Sequence, residues 1–467
     1  MFRHHSTTFR ILYWARRVAL ATVFGGTFVL TGCGGGGSND DTPSDVTHWT
    51  KPALLEQASG AAARPQVVVD AEDNATVIWV QSDGTNDRVY ALRYSAGGSL
   101  GDVVALSASD AAAVDAKVDV DGAGNVFVVW AQRDGAGASV QSSVYSPVTG
   151  LWSGPDALVS GRYSATGVRL AVDAGGTATA TWHESDASSN QDLYARRFTT
   201  ASMTAPVNLA HVVAYGRAGA AEVAAGPGGK AMAVWTTYAD GSGVTHIWAG
   251  YFNGAGWNLM DIDAGLGDSG DPDVAFDADG NAMAVWAERT GVESASTPYL
   301  IRSRRLAAAG GVWDAGYETL SNGRPGSAED PQVAFDSSGQ AVTVWDVDSG
   351  AEVRIRFSRH TASGWGTPVY IDGGGDINFG AMLTIDGSDN ITVAWESTAD
   401  YSTYTLAANR YEPGTGWGGA TTISAANQGD VGDVSIASDS RGQAIAVWEQ
   451  ENAAGTNTSA WFSIYQP

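Results

Sequence analysis

One tryptophan recurs eight times along this chain, and its spacing leaves few folds open. Trp79, Trp130, Trp182, Trp235, Trp286, Trp345, Trp395 and Trp448 lie 51, 52, 53, 51, 59, 50 and 53 residues apart. Nine residues before seven of them stands an aspartate: Asp70, Asp121, Asp173, Asp277, Asp336, Asp386 and Asp439, with Gly226 in the fourth repeat. Six residues before them stands Gly124, Gly176, Gly229, Gly280, Gly339 or Gly442, with Asp73 and Asp389 in the other two repeats. Asp bonds the backbone of its own turn, and Gly tolerates positive φ, so this block is a tight turn between two strands. Val274–Phe276 is the end of the strand before the turn (A), and Ala282–Trp286 the strand after it (B). A third strand (C) alternates in side-chain character, as in Val89–Tyr94 and Val353–Phe357. A fourth (D) is marked by Trp152, Trp257, Trp313, Trp365 or Trp417, with Leu100 and Met203 in equivalent places. Proline often stands three residues on, as Pro155, Pro206 and Pro368.

Each repeat is thus a four-stranded antiparallel meander, the unit of a propeller blade. The eighth repeat stops after its strand C, at Pro467, while Trp49–Leu55 carries the strand D signature ahead of the first strand A. The expectation is an all-β, eight-bladed β-propeller over residues 48–467, with the N-terminal strand completing the last blade and so removing open edges. The repeats resemble propeller blades in general. Their nine-residue Asp-to-Trp spacing differs from both the sialidase Asp box and the quinoprotein docking motif.

The first 32 residues differ in kind. Arg3, Arg10, Arg16 and Arg17 precede an apolar stretch, Val18 to Leu30, too short to span a bilayer comfortably. It reads as a signal peptide over residues 1–32. The run Leu30-Thr31-Gly32-Cys33 resembles the bacterial lipobox, which implies lipidation of Cys33, the chain's sole cysteine. Gly34 rather than Asp follows it, which in that family tilts localisation to the outer membrane. Residues 33–47 read as a flexible tether. Removing the leader leaves 22 basic against 51 acidic residues, a net charge of −29. Such a chain repels nucleic acid and anionic headgroups. The expected partners are the membrane, through the lipid, and an envelope protein or a glycan.

In a meander the A-to-B and C-to-D turns share one face, and the B-to-C and D-to-A loops the other. The first face is nearly uniform here. The second varies, as in residues 289–298 (RTGVESASTP) and 321–330 (SNGRPGSAED), so function is expected there. Three groups fall on it. Asp115, Asp271, Asp330 and Asp433 stand fifteen residues before their tryptophans, with Arg64 in the first repeat. They read as a partial carboxylate ring for a ligand or a cation, calcium being the candidate, or else as residues bonding their own turns. His183, Glu184, Glu288, Asp346, Glu396 and Glu449 end strand B, as ligand contacts or solvated strand ends. His183, His211, Tyr215, Arg217 and His246 form a weak catalytic candidate for proton abstraction, as in polysaccharide lyases. Tyr163, Tyr238 and Tyr401 are candidates for stacking on sugars. The Asp277-x-Asp279-Gly280 run lacks the downstream ligands of a calcium loop. No serine-hydrolase elbow, zinc-protease helix or phosphate loop is present. Two function classes follow: a lipid-anchored binding or scaffold protein, and, as the alternative, a carbohydrate-active lyase or glycoside hydrolase.

Overall fold

A computed structural model describes residues 48–56, 60–135, 137–159, 164–185, 191–210, 217–238, 244–263, 267–290, 297–321 and 326–467. The leader and the whole of the tether, Cys33 included, lie outside them. Trp49–Pro467 forms one compact unit. Its sheets are eight antiparallel meanders, one per repeat, arranged as an eight-bladed β-propeller. Blade one is typical: strand A is Ala62–Val69, B Ala75–Ser82, C Asp87–Tyr94 and D Val104–Ala105. The other strands A are Ala113–Val120, Ala165–Val172, Arg217–Gly226, Gly267–Phe276, Ser327–Phe335, Ile377–Ile385 and Val431–Ser438. They line the central channel, as innermost strands do in this architecture.

The ring closes as the sequence predicts. Trp49 bridges Tyr465, and Ala53 and Leu54 pair with Phe462 and Trp461 of the last strand C, Thr458–Tyr465. The short strands D have a cause in the sequence. Trp365 pairs with His360, Pro368 follows, and pairing resumes at Val369. Pro52, Pro155 and Pro206 sit at the same break, because proline has no N–H to give to the ladder. All eight repeated tryptophans are fully buried. Each packs on the preceding blade: Trp79 lies with Ile445 and Val447 of blade eight, and Trp182 with Val129 and Val140 of blade two. The core is therefore a series of inter-blade seams.

The A-to-B turn confirms its chemistry. Asp277 Oδ1 accepts the N–H groups of Asp279 and Asn281 at 3.0 and 2.7 Å, and its Oδ2 takes the Asn281 amide at 2.6 Å. Gly280 has φ +83°. Where aspartate replaces that glycine it is also left-handed, and it earns its place by reaching a neighbouring blade. Asp73 accepts Ser440 N and Oγ at 2.8 and 3.0 Å across the closure, and Asp389 accepts Ser337 N and Oγ at 2.7 Å each.

Candidate functional site

Every strand A carries one irregularity, and it sets the candidate site. Its register against strand B shifts in all eight blades, in seven of them between residues sixteen and thirteen before the tryptophan and in blade four one residue earlier, between Ala218 and Ala221. The residue fifteen before has positive φ in seven: Arg64 (53°), Asp115 (54°), Gly167 (62°), Asp271 (50°), Asp330 (50°), Gly380 (67°) and Asp433 (49°). This is a β-bulge with a left-handed residue. Asp and Gly tolerate that conformation better than most residues, so the backbone selects the column. The four aspartates are thus bulge residues first. Their carboxylates are used unequally. Asp115 pairs with Arg64 Nη1 at 2.7 Å and accepts Gly167 N at 3.2 Å. The Asp330 carboxylate makes no hydrogen bond or ion pair among the described residues. Asp433 Oδ2 is buried with no hydrogen-bond partner among them.

Beneath the bulges, two residues further into strand A, lies a set of side chains that the repeat pattern did not reveal: Gln66, Lys117, Arg169, Glu222, Asp273 and Gln332. Lys117 feels Arg169, Glu222, Asp115 and Asp433, which belong to four different strands A, so these groups converge on the channel axis. Burial, then the Arg169 charge, pulls the Lys117 amine down to about 8, against the nearby carboxylates. Arg169 Nε donates to Glu222 Oε1 at 2.8 Å. Burial, then repulsion from Glu222, pushes Asp273 up to about 7. Burial also pushes Asp119, on the adjacent layer, up to about 6. Both acids are fixed by the next blade: Val333 N donates to Asp273 Oδ2 at 2.7 Å, and Val172 N to Asp119 Oδ2 at 2.6 Å. An innermost strand has an unpaired edge, and these carboxylates satisfy it across the seam.

The acids at the end of strand B lie inside the seams rather than on solvated strand ends. Glu288 and Glu449 are fully buried, and Asp346 and Glu184 nearly so. Glu184 and Glu288 accept the indole N–H of Trp182 and Trp286, both at 3.3 Å, a place that Gln81, Gln132 and Gln450 fill in other blades. Asp346 accepts the bulge N–H of Gly380 at 2.8 Å, and Glu449 that of Arg64 at 3.2 Å. These four are used by the fold. Glu396 is half-buried.

The histidine patch does not form one cluster among its described members. His183 is buried under the Gly167 bulge, where an added methyl carbon would meet its Nδ1 at 2.9 Å. His246 lies on strand C of blade four, Thr245–Phe252, beside Asp261 and Asp263. Arg217 opens strand A of blade four, while His211 and Tyr215 lie outside the described residues, as does Tyr163. Tyr238 ends strand B of blade four, Lys230–Tyr238. Tyr401 is 40% exposed on the loop face and feels the charge of Asp348 from blade six.

Among the described residues, the His, Asp and Glu side chains that approach to metal-ligand distance are His246, Asp261 and Asp263, with ligand atoms within 4.8 Å of one another. The four bulge aspartates do not gather to that distance. Burial, then the hydrogen bond and charge of Asp263, pushes Asp261 up to about 6.

No protein-family model and no curated protein matches the chain. Solved structures resemble it at low identity. A protein of unknown function from Dyadobacter fermentans is 9% identical, covers 89% of this chain and 98% of its own, and has a TM-score of 0.44. A polysaccharide lyase, an ulvan lyase, is 11% identical over 73% and 90%, with a TM-score of 0.46. An α-L-arabinofuranosidase from Fusarium graminearum is 10% identical over 68% and 99%, with a TM-score of 0.42. At these identities and TM-scores none supplies a site residue or a function.

Proposed function

We propose that this chain is a lipid-anchored binding protein of the bacterial envelope, held at the outer membrane through Cys33. It takes a protein partner or a glycan on the face where the bulges and variable loops meet the channel mouth. One observation carries the reading. The fold consumes the buried acids of strand B and of the turns, yet it leaves carboxylates of the bulge column, Asp330 and one oxygen of Asp433, without partners among the described residues. Like charges held near one axis repel, so a ligand with cationic or polyhydroxyl groups gains by docking there. Tyr401 adds an exposed aromatic ring to the same face. Binding is favoured over the alternative of a carbohydrate-active enzyme, because His183 and His246, the described histidines of the patch, stand on strand B of blade three and strand C of blade four.

The test uses the mature protein without its lipid, on glycan arrays and in pull-downs from envelope extracts. Asp271, Asp330 and Asp433 are replaced together by Asn, which also tolerates the left-handed bulge. The expected result is an unchanged melting temperature and binding weakened by about tenfold or more. Full binding by the triple variant moves the site off the ring. For the anchor, Cys33→Ser should abolish palmitate labelling, and retained labelling would refute the lipoprotein reading.

A further inference from the structure

At the loop-face end of strand D, the blades repeat one contact. An acceptor there takes a backbone N–H from strand C. Ser107 takes Val89 at 2.9 Å, Ser321 takes Ile301 at 2.8 Å, and Ser424 takes Leu406 at 3.1 Å. Three blades use a carboxylate instead: Glu56 on Ala460, Asp263 on Ile247 and Asp372 on Ile355, each at 3.0 Å. A buried carboxylate needs compensation. In blade six the residue before Ile355 is Arg354, whose guanidinium grips Asp372 at 2.7 to 2.9 Å and lies over the Tyr370 ring at 4.3 Å. In blade eight the single carboxylate of Glu56 meets the hydroxyl of Ser459. Blade four is different. The residue before Ile247 is His246, and Asp261, a second carboxylate, stands where blade six has Tyr370. Two carboxylates face one imidazole, where blade six sets one carboxylate against a full cation.

We propose that His246, Asp261 and Asp263 bind a divalent transition-metal ion, with zinc as the probe. Blade eight meets one carboxylate with a hydroxyl and blade six meets one with a cation, so two carboxylates at this place call for positive charge, and the donor geometry says which kind. Each carboxylate has one oxygen held by backbone and the other turned to the imidazole. Asp263 Oδ2 takes Ile247 N, and its Oδ1 lies 3.4 Å from His246 Nδ1. Asp261 Oδ1 takes Asp263 N at 3.2 Å, and its Oδ2 lies 3.9 Å from the same nitrogen. Two ligands about 2.1 Å from one tetrahedral zinc stand about 3.4 Å apart. One pair is already at that separation, and the other closes by about half an ångström. Fixed second oxygens are the outer-shell orientation that metal carboxylates need. Imidazole with carboxylates suits zinc or manganese, whereas calcium takes six to eight oxygens. His246 and Asp261 are 22% and 36% exposed, so a fourth ligand can enter from solvent, as water or as a donor from a bound partner. This site is separate from the bulge ring and does not depend on its role.

The experiment measures zinc binding to the purified protein by equilibrium dialysis, in excess magnesium. The magnesium suppresses diffuse binding to an acidic chain of formal net charge −25. One tight equivalent is expected, together with a zinc-dependent rise in melting temperature. His246→Gln should weaken that equivalent by about 100-fold, the upper end of what even outer-shell changes cost. A second variant guards against misfolding. His246→Arg combined with Asp261→Tyr imports the blade six solution, so it should melt at or above the wild type without metal and bind no zinc. Cobalt in the wild-type site should give the absorption bands of tetrahedral coordination. The proposal is overturned if no stoichiometric zinc survives the magnesium, or if either variant keeps it.

Discussion

Strand A carries a column of aspartates at each end, one saturated with hydrogen bonds and the other only partly used. At the turn end, Asp386 uses everything it has. Its Oδ1 accepts Ser388 N and Asn390 N at 2.9 and 3.0 Å, and its Oδ2 takes the Asn390 amide and Arg410, both at 2.8 Å, with no side-chain exposure. At the bulge end, Asp330 has left-handed backbone and a carboxylate with no partner among the described residues. The same residue type, six positions apart, does structural work throughout one column and in the other leaves charge available at Asp330. A repeated aspartate is therefore not evidence of a site. Hydrogen-bond saturation separates the two cases.

The largest effect should come from the saturated column. Asp386→Ala removes the partner of a buried arginine and strands two backbone N–H groups, so unfolding stability should fall by about 3–5 kcal/mol. Denaturant titration measures this, and a loss equal to that at Asp330 would erase the distinction between the columns. Between the two lies Asp273, whose carboxyl burial pushes up to about 7 from an ordinary 3.8. A carboxyl with a raised folded-state pKa contributes stability that is complete below the unfolded value and is lost as pH rises through the folded one. Melting temperature should therefore fall between about pH 4 and pH 8, and Asp273→Asn should flatten that fall. An unchanged pH slope would mean that Asp273 stays ionised in the channel. At the bulge, Asp330→Val places a β-branched residue at φ +50° and should cost about 1–2 kcal/mol through backbone strain alone. Asp330→Asn keeps the tolerated conformation and removes only charge, so the smallest change is expected there, within about 0.5 kcal/mol in thermal melts.

What the sequence revealed follows from the same contrast. The turn, the anchor tryptophan and the prolines that split strand D recur in register, because each blade solves the same local problem with the same residues. Closure was legible because Trp49 and Pro52 repeat the strand D signature of Trp365 and Pro368. The bulge column was seen as aspartates without its cause, although Gly167 and Gly380 in the same column carried the left-handed signal. The channel layer left no pattern, since Gln66, Lys117, Arg169, Glu222, Asp273 and Gln332 share a position and nothing else. Their relation is across the axis, and no single repeat contains it. Glu288 and Glu449 read as strand ends because one blade's sequence does not show the neighbour that buries them. Likewise, His246 acquires meaning only when set against Arg354.

The closing strand gives the molecule a timetable. Thr50 and Ile464 are 414 residues apart in sequence, and their contact belongs to the last seam of the ring. Drawing such distant points together in an unfolded chain costs about 5 kcal/mol of loop entropy beyond a constant, more than two short stretches of ladder readily offset. Once the intervening blades have formed, they hold the two ends near each other and most of that cost is gone. The strand of the ring that is made first is thus the last to find its partner. Until then both edges of the nascent arc stand open, and its most vulnerable interval ends only when Thr458–Tyr465 is in place to receive that strand.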